Sequence, residues 1–345
     1  MTKSIIITVA ATLLTAGIPC GLLAAPGTRT LPDLLNPDSI TVDGHLMVVT
    51  DGASVHLYDL ENFSRMKTFG KKGEGPREFK FSEGGVVKLQ VHVGRDRILV
   101  NSRNRVTFFS RTGDYLGEVN VASGNRFLPV GDGHVGYASA NEHKTLFITF
   151  NLYDADFAFR REIFRKKYYV QPNERFNLVL LANGNQRRAV YQVAGEEIYV
   201  EGEDDTIHVF DPTGRRLRTM SLADEPVRIT PDQVAAIRDD LERLYTSPLM
   251  KRLIQEKGDI PETFPARIFR VADDRIYLPT HRHENGRTRF LVMDLNGTHL
   301  KTVLLPLAQQ TFLIPYPYTI HGGRFYQLVE DEDTETWRLV VQEIR

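Results

Sequence analysis

Four stretches of the chain repeat one pattern of apolar and polar positions: an alternating run that closes on an acidic or polar residue, a turn, then a second short run. They are Val55-His56-Leu57-Tyr58-Asp59, Val106-Thr107-Phe108-Phe109-Ser110, Ile207-His208-Val209-Phe210-Asp211 and Phe290-Leu291-Val292-Met293-Asp294. In the third, Ile207, Val209 and Asp211 face one way and His208 and Phe210 the other, the period of a half-buried strand. Asp211-Pro212-Thr213-Gly214 then supplies a turn, because Asp bonds amides just ahead of it, Pro presets φ and Gly tolerates positive φ. Ser110 to Gly113 and Asp294 to Gly297 keep glycine at the same offset. Each phrase therefore predicts a hairpin, with Arg216 to Met220 as the returning strand in the third.

Upstream of each phrase lies another strand, at His45 to Thr50, Arg97 to Asn101, Glu197 to Glu201 and Arg275 to Pro279. Before most of these lies a further one, at Val87 to Val91, Arg126 to Val130, Ala189 to Val193 and Ile268 to Val271. The unit is a four-stranded antiparallel meander. At about 40 to 50 residues per unit the length predicts an all-β fold, a six-bladed β-propeller. The blades fall at Ser39 to Phe69, Val86 to Val119, Arg126 to Phe164 (the least regular), Ala189 to Met220, Ile268 to Leu304 and Tyr316 to Ile344. The last ends with Trp337 to Gln342 as its third strand, so Thr28 to Leu35 is expected to donate the missing outer strand and clasp the ring.

One segment breaks the pattern. Thr230-Pro231-Asp232-Gln233 is a capping box with Pro at the first helical position, followed by Val234, Ile237, Leu241 and Leu244 at helical spacing. Ser247-Pro248 opens a second helix carrying Leu249, Met250, Leu253 and Ile254, which Gly258 ends. A helical insertion over residues 230–258, between blades four and five, is predicted. It is read as a packed insertion, a lid over the central channel or a partner surface.

Composition narrows the setting. With 345 residues, 41% hydrophobic and 25% charged, the chain has ample core for one large domain. A net charge of -1 argues against a nucleic-acid partner. The basic run Arg160, Arg161, Arg165, Lys166 and Lys167 reads as a solvated strand face. Residues 1–25 have Lys3, an uncharged apolar run from Ile5 to Ile18 and small residues through Ala25, the layout of a signal peptide or N-terminal anchor. Residues 26–345 then form the propeller, exported to the periplasm or beyond. Cys20, the single cysteine, lies inside the leader; without it the propeller is cysteine-free and holds no disulfide.

The segment Phe69-Gly70-Lys71-Lys72-Gly73-Glu74-Gly75-Pro76-Arg77-Glu78-Phe79, followed by Arg97 to Asn101 and Asn104-Arg105-Val106, resembles the NHL repeat of bacterial six-bladed propeller proteins over roughly residues 65 to 120. Asn101 stands where that family usually ends the second strand on an acidic residue. Ile260 to Ala266 is similar to the segment before the fifth blade in exported members. The glycines and proline let the chain pass from an outer strand to the next inner one, so Gly73, Gly75 and Pro76 are assigned a structural role.

No phosphate loop, nucleophile elbow, zincin helix or calcium loop is present. The sharpest local candidate is Thr280-His281-Arg282-His283-Glu284, where His281 and His283 at alternate positions share a strand face and could begin a metal site; the segment is expected in a hairpin loop, and a third ligand is lacking. Acidic loops at Glu201 to Asp205 and Glu330 to Asp333 could bind calcium but also suit charged hairpin tips. His134 and His321 read as turn residues. The function expected is an exported, non-catalytic binding scaffold, monomeric, for a protein, peptide or glycan partner, touching a membrane only through an uncleaved N-terminus. The alternative is a propeller enzyme with a divalent metal, calcium or zinc, in the channel, resembling six-bladed lactonases or NHL-type lyases.

Overall fold

The computed structural model describes residues 27–345 except 76, 82–87, 122–124, 169, 172–173, 184–189, 204, 223–224 and 332. The leader at 1–25, Cys20, Pro76, Val87 and Ala189 lie outside the described residues. The chain opens with β1 (Gly27–Leu31). Blade one is β2 (Pro37–Asp43), β3 (Leu46–Asp51), β4 (Ser54–Asp59) and β5 (Arg65–Phe69), and blade two is β6 (Gln90–Val93), β7 (Arg97–Ser102), β8 (Arg105–Ser110) and β9 (Tyr115–Asn120). Blade three is β10 (Asn125–Val130), β11 (Gly133–Glu142), β12 (Thr145–Tyr153) and β13 (Phe159–Lys167), followed by β14 (Phe176–Asn177) and helix α1 (Leu178–Ala182). Blade four is β15 (Tyr191–Ala194), β16 (Glu197–Glu201), β17 (Thr206–Phe210) and β18 (Arg216–Ser221). Helices α2 (Pro231–Leu244) and α3 (Pro248–Lys257) and the short β19 (Gly258–Asp259) precede blade five. That blade is β20 (Arg270–Ala272), β21 (Arg275–Glu284), β22 (Arg287–Met293) and β23 (His299–Leu305), and blade six is β24 (Tyr318–His321), β25 (Arg324–Asp331) and β26 (Thr336–Glu343).

Blades one to five are antiparallel meanders in chain order, and the sixth has the order β1-β26-β25-β24. The donated strand is thus present: Gly27 to Leu31 pairs with Val341 to Trp337, Leu31 and Leu34 are buried beside Trp337, and the Trp337 indole donates to the Leu35 carbonyl at 3.2 Å. The innermost strands pack side by side, and β24 meets β2, so the ring is closed. Blade three, the least regular in sequence, has three strands of nine or ten residues.

The turn phrase is built alike in five blades. Asp154, Asp211 and Asp294 each accept two backbone N–H groups of their turn through Oδ1, Asp59 accepts one, and Ser110 accepts two through its hydroxyl. Gly113, Gly214 and Gly297 then take positive φ. Blade three holds a fifth copy that the sequence pattern hid, because Phe157 fills the left-handed position at φ 63 where three other blades have glycine. One residue past each turn the outer strand bulges, skipping Met66, Leu116, Arg160, Leu217 and Leu300 in the pairing. A bulge twists an outer strand out of register for pairing with another chain.

Strand alternation sorts the connections. The turns between first and second and between third and fourth strands open on one face, the turn face. The connections entering each inner strand and the second-to-third hairpins open on the other, the entry face. Three of those entry connections build a cap on that face. Its core is Phe176, Leu178, Val179, Leu181, Ile237, Leu241, Phe264 and Leu313, and the β14–β19 ribbon ties its ends in parallel. The Asp240 carboxylate, buried, accepts Arg243 Nη2 at 2.6 Å and the Phe312 N–H at 2.8 Å. The capping box of α2 is formed as expected. Leu244 and Leu249, read as part of the packed stripe, are instead exposed.

Candidate functional site

The glycine-rich connection of blade two folds around one buried cation. Arg105 is 5% exposed and donates to the carbonyls of Glu74 (2.9 Å), Gly75 (2.9 Å) and Glu78 (3.3 Å), with Glu118 beside it at 3.4 Å. The Glu78 carboxylate accepts the Gly75 N–H at 2.8 Å and pairs with Lys71, and these bonds hold its pKa below the usual range. Phe79 is buried against Phe109. The loop has a structural assignment on this geometry: its carbonyls point inward at Arg105.

The two candidate histidines lie on a strand, β21, rather than in a loop, beside a bulge between Pro279 and His283. The Nδ1 of His281 accepts from Arg267 Nε at 3.4 Å, its Nε2 faces the Pro265 carbonyl at 3.1 Å, and its ring stacks on Phe264 at 4.2 Å. Arginine only donates and a carbonyl only accepts, so the ring is neutral with its proton on Nε2. Both nitrogens are engaged, and a metal would have to displace Arg267 or the proton shared with Pro265. His281 thereby fastens the cap's exit to blade five. His283 faces Thr288 Oγ1 at 3.3 Å, and burial, then Arg267, lowers its pKa. Among the described residues no group of three or more His, Cys, Asp or Glu side chains is placed to hold a metal.

Carboxylates neutralise most of the basic run, one of them from the first acidic run. Lys166 pairs with Glu201 at 2.7 Å with both side chains nearly buried, so this part of the basic run is not a solvated face. Arg160 pairs with Asp132, Arg165 with Glu142 and Glu162, and Lys167 with Glu174. His134 is buried, stacked on Phe157 and bonded to the Asp154 carbonyl; His321 Nε2 accepts the Gly44 N–H at 3.1 Å across the closing seam.

The set that sequence reasoning missed lies on the inner strands. Arg126 of β10 sits at a bulge with φ 52, and its guanidinium lies 5.0 Å from the ring centroid of Tyr191 on the next inner strand, β15. The Tyr191 hydroxyl donates to the Arg126 carbonyl. Arg270 of β20 repeats the arrangement, 5.1 Å from the ring of Tyr318 on the next inner strand, β24. Gln192 of β15 holds the backbone there, donating to the Phe269 carbonyl at 2.7 Å and accepting the Val271 N–H at 2.9 Å. Burial, with the nearby Arg270 charge as a further cause, lowers the pKa of Arg126, and burial takes Arg267 down to about 10. Burial, and then the Arg126 charge, lowers the pKa of His92 of β6. The signal was present in sequence as arginines on predicted innermost strands.

No family model matches the chain, and no curated protein matches it. Among solved structures it is similar to the β-propeller domain of Cps50 (Swd1) from Myceliophteria thermophila, at 10% identity over 93% of this chain and 100% of that one, with a TM-score of 0.43. It is also similar to BBS1N, solved in complex with ARL6DN and soaked with lead, at 10% identity over 90% of this chain and 79% of that one, with a TM-score of 0.39. Likeness at this level is one of general shape, and nothing about function follows from it.

Proposed function

We propose that this chain is an exported, non-catalytic propeller that binds a protein, peptide or glycan partner on its entry face. The observation that carries the reading is the contrast between the faces. On the turn face, side chains close on their own turns and bridge the blades, as in Lys67 with Asp114, Arg218 with the Leu295 carbonyl and Asp273 with the Gly322 and Gly323 amides. On the entry face the cap presents α3, none of whose residues is buried, with Leu249 at 66% exposure and Leu244 at 42% beside it. Long connections on a rigid scaffold are where binding residues usually sit. Export rests on the apolar leader alone, and N-terminal sequencing of the protein recovered from cells tests it.

A photo-crosslinking residue at Leu249, compared with one at Leu300 on an outer strand, tests the surface in cells. A defined adduct at Leu249 and none at Leu300 is expected. Equal crosslinking, or none with glycan and peptide arrays also blank, removes the proposal. Stoichiometric calcium or zinc in the purified protein, lost in His281→Ala and His283→Ala, replaces it with the enzyme reading.

A further inference from the structure

We infer that the central channel holds an oxyanion-binding site, formed by Arg126, Arg270 and Arg267, for a ligand bearing a carboxylate or phosphate group. The position follows from topology. Arg126 belongs to the innermost strand of blade three and Arg270 to that of blade five, with blade four between them, yet the Arg270 charge reaches Arg126. Innermost strands surround the axis of the closed ring. Arg267 lies three residues ahead of Arg270, with its Nε on His281 Nδ1.

Chemistry supplies the ligand class. Among the described residues no carboxylate pairs with any of the three arginines, whereas Arg105, Arg111, Arg160, Arg165 and Arg218 are all paired. Arg270 Nε and Arg267 Nη1 are buried and have no hydrogen-bond partner among the described residues. The three side chains are only partly buried, and a guanidinium nitrogen withdrawn from water without a partner is costly. The rings of Tyr191 and Tyr318 lie beside Arg126 and Arg270, and a guanidinium supported by an aromatic ring can still meet an oxyanion bidentately. The bulge and left-handed φ at Arg126 are the strain expected where a side chain is re-aimed for a task.

This inference holds whichever partner the cap engages. Calorimetric titration of the full chain with inorganic phosphate and, separately, with citrate, at ionic strength matched with chloride, tests it and distinguishes the two sources. Saturable binding of at least one, with Kd below about 1 mM, is expected. Arg270→Gln and Arg126→Gln should each weaken it by about tenfold or more, and Arg160→Gln, at the surface, should leave it unchanged. Arg270→Lys, which keeps charge but not the planar fork, should bind more weakly than the parent and covers the case in which the glutamine variants do not fold. No saturable heat with either anion overturns the inference. So does binding that survives in the Arg126→Gln, Arg270→Gln double variant.

Discussion

Arginine is withdrawn from water in two regions of this propeller with different outcomes: Arg105 is buried, whereas Arg126, Arg267 and Arg270 are partly buried. In the blade-two connection, Arg105 meets three inward carbonyls and Glu118, and the loop exists in its observed shape because those carbonyls have a cation to face. On the inner strands, Arg267 and Arg270 have buried nitrogens without partners, held by aromatic rings and a neutral histidine. Burial alone therefore does not tell structure from function. The kind of acceptor does: Arg105 meets three carbonyls and a carboxylate although its Nε has no partner, whereas among the described residues no carboxylate pairs with Arg267 or Arg270.

The scale for that comparison is set by opening the ring. Deleting residues 27–36 removes β1 and the buried Leu31 and Leu34; the two leucines alone account for roughly 3 to 6 kcal/mol. The melting temperature should fall sharply, and an unchanged curve would show that β1 is no clasp. Next in size, Arg105→Met leaves three carbonyls facing an apolar chain and should lower urea-denaturation stability by about 3 kcal/mol. A loss under about 1 kcal/mol would erase the distinction between the regions.

Arg270→Met should behave in the opposite sense. Without added anion it is expected to leave stability unchanged or raise it by up to about 1 kcal/mol, and a loss larger than that would place Arg270 with Arg105 as a structural cation. The smallest effect concerns His92. Its folded pKa lies below the unfolded value near 6.5, so the unfolded state binds more protons in the window between them. Its contribution is complete above pH about 6.5 and is lost as pH falls through the folded pKa. The urea midpoint should drop between pH 7.5 and 5.5, less so in His92→Gln. Arg126→Gln should raise the His92 pKa in an NMR titration; an unmoved pKa would separate the two groups.

The meander, its turns, the helical hairpin and the donated strand were legible because each rests on local chemistry: Asp211 before Gly214, Thr230 three residues ahead of Gln233, a last blade one strand short. Where a different residue met the same backbone demand, the pattern went unseen, as at Phe157. The helix over 178–182 was hidden because its five residues have no periodicity to display, and its apolar character serves the cap. His281 and His283 drew notice through their spacing, yet what fixes His281 is Pro265, Phe264 and Arg267, none of them on its strand. The arginines of the channel are distant in sequence and share no motif. They become a set only through closure of the ring.

The pairing of β1 with β26 also dictates the order of assembly. Within the six blades every other strand pair joins neighbours in the chain, while this one joins the first described strand to the last. Such a contact carries the largest loop-closure cost in the molecule and should form last. Until then, five complete blades coexist with a bare β26 edge, whose buried Trp337 and Leu339 would be open to other chains. The vulnerable species is therefore the unclosed ring, and the rate at which residues 27–31 find their place decides how long it is exposed.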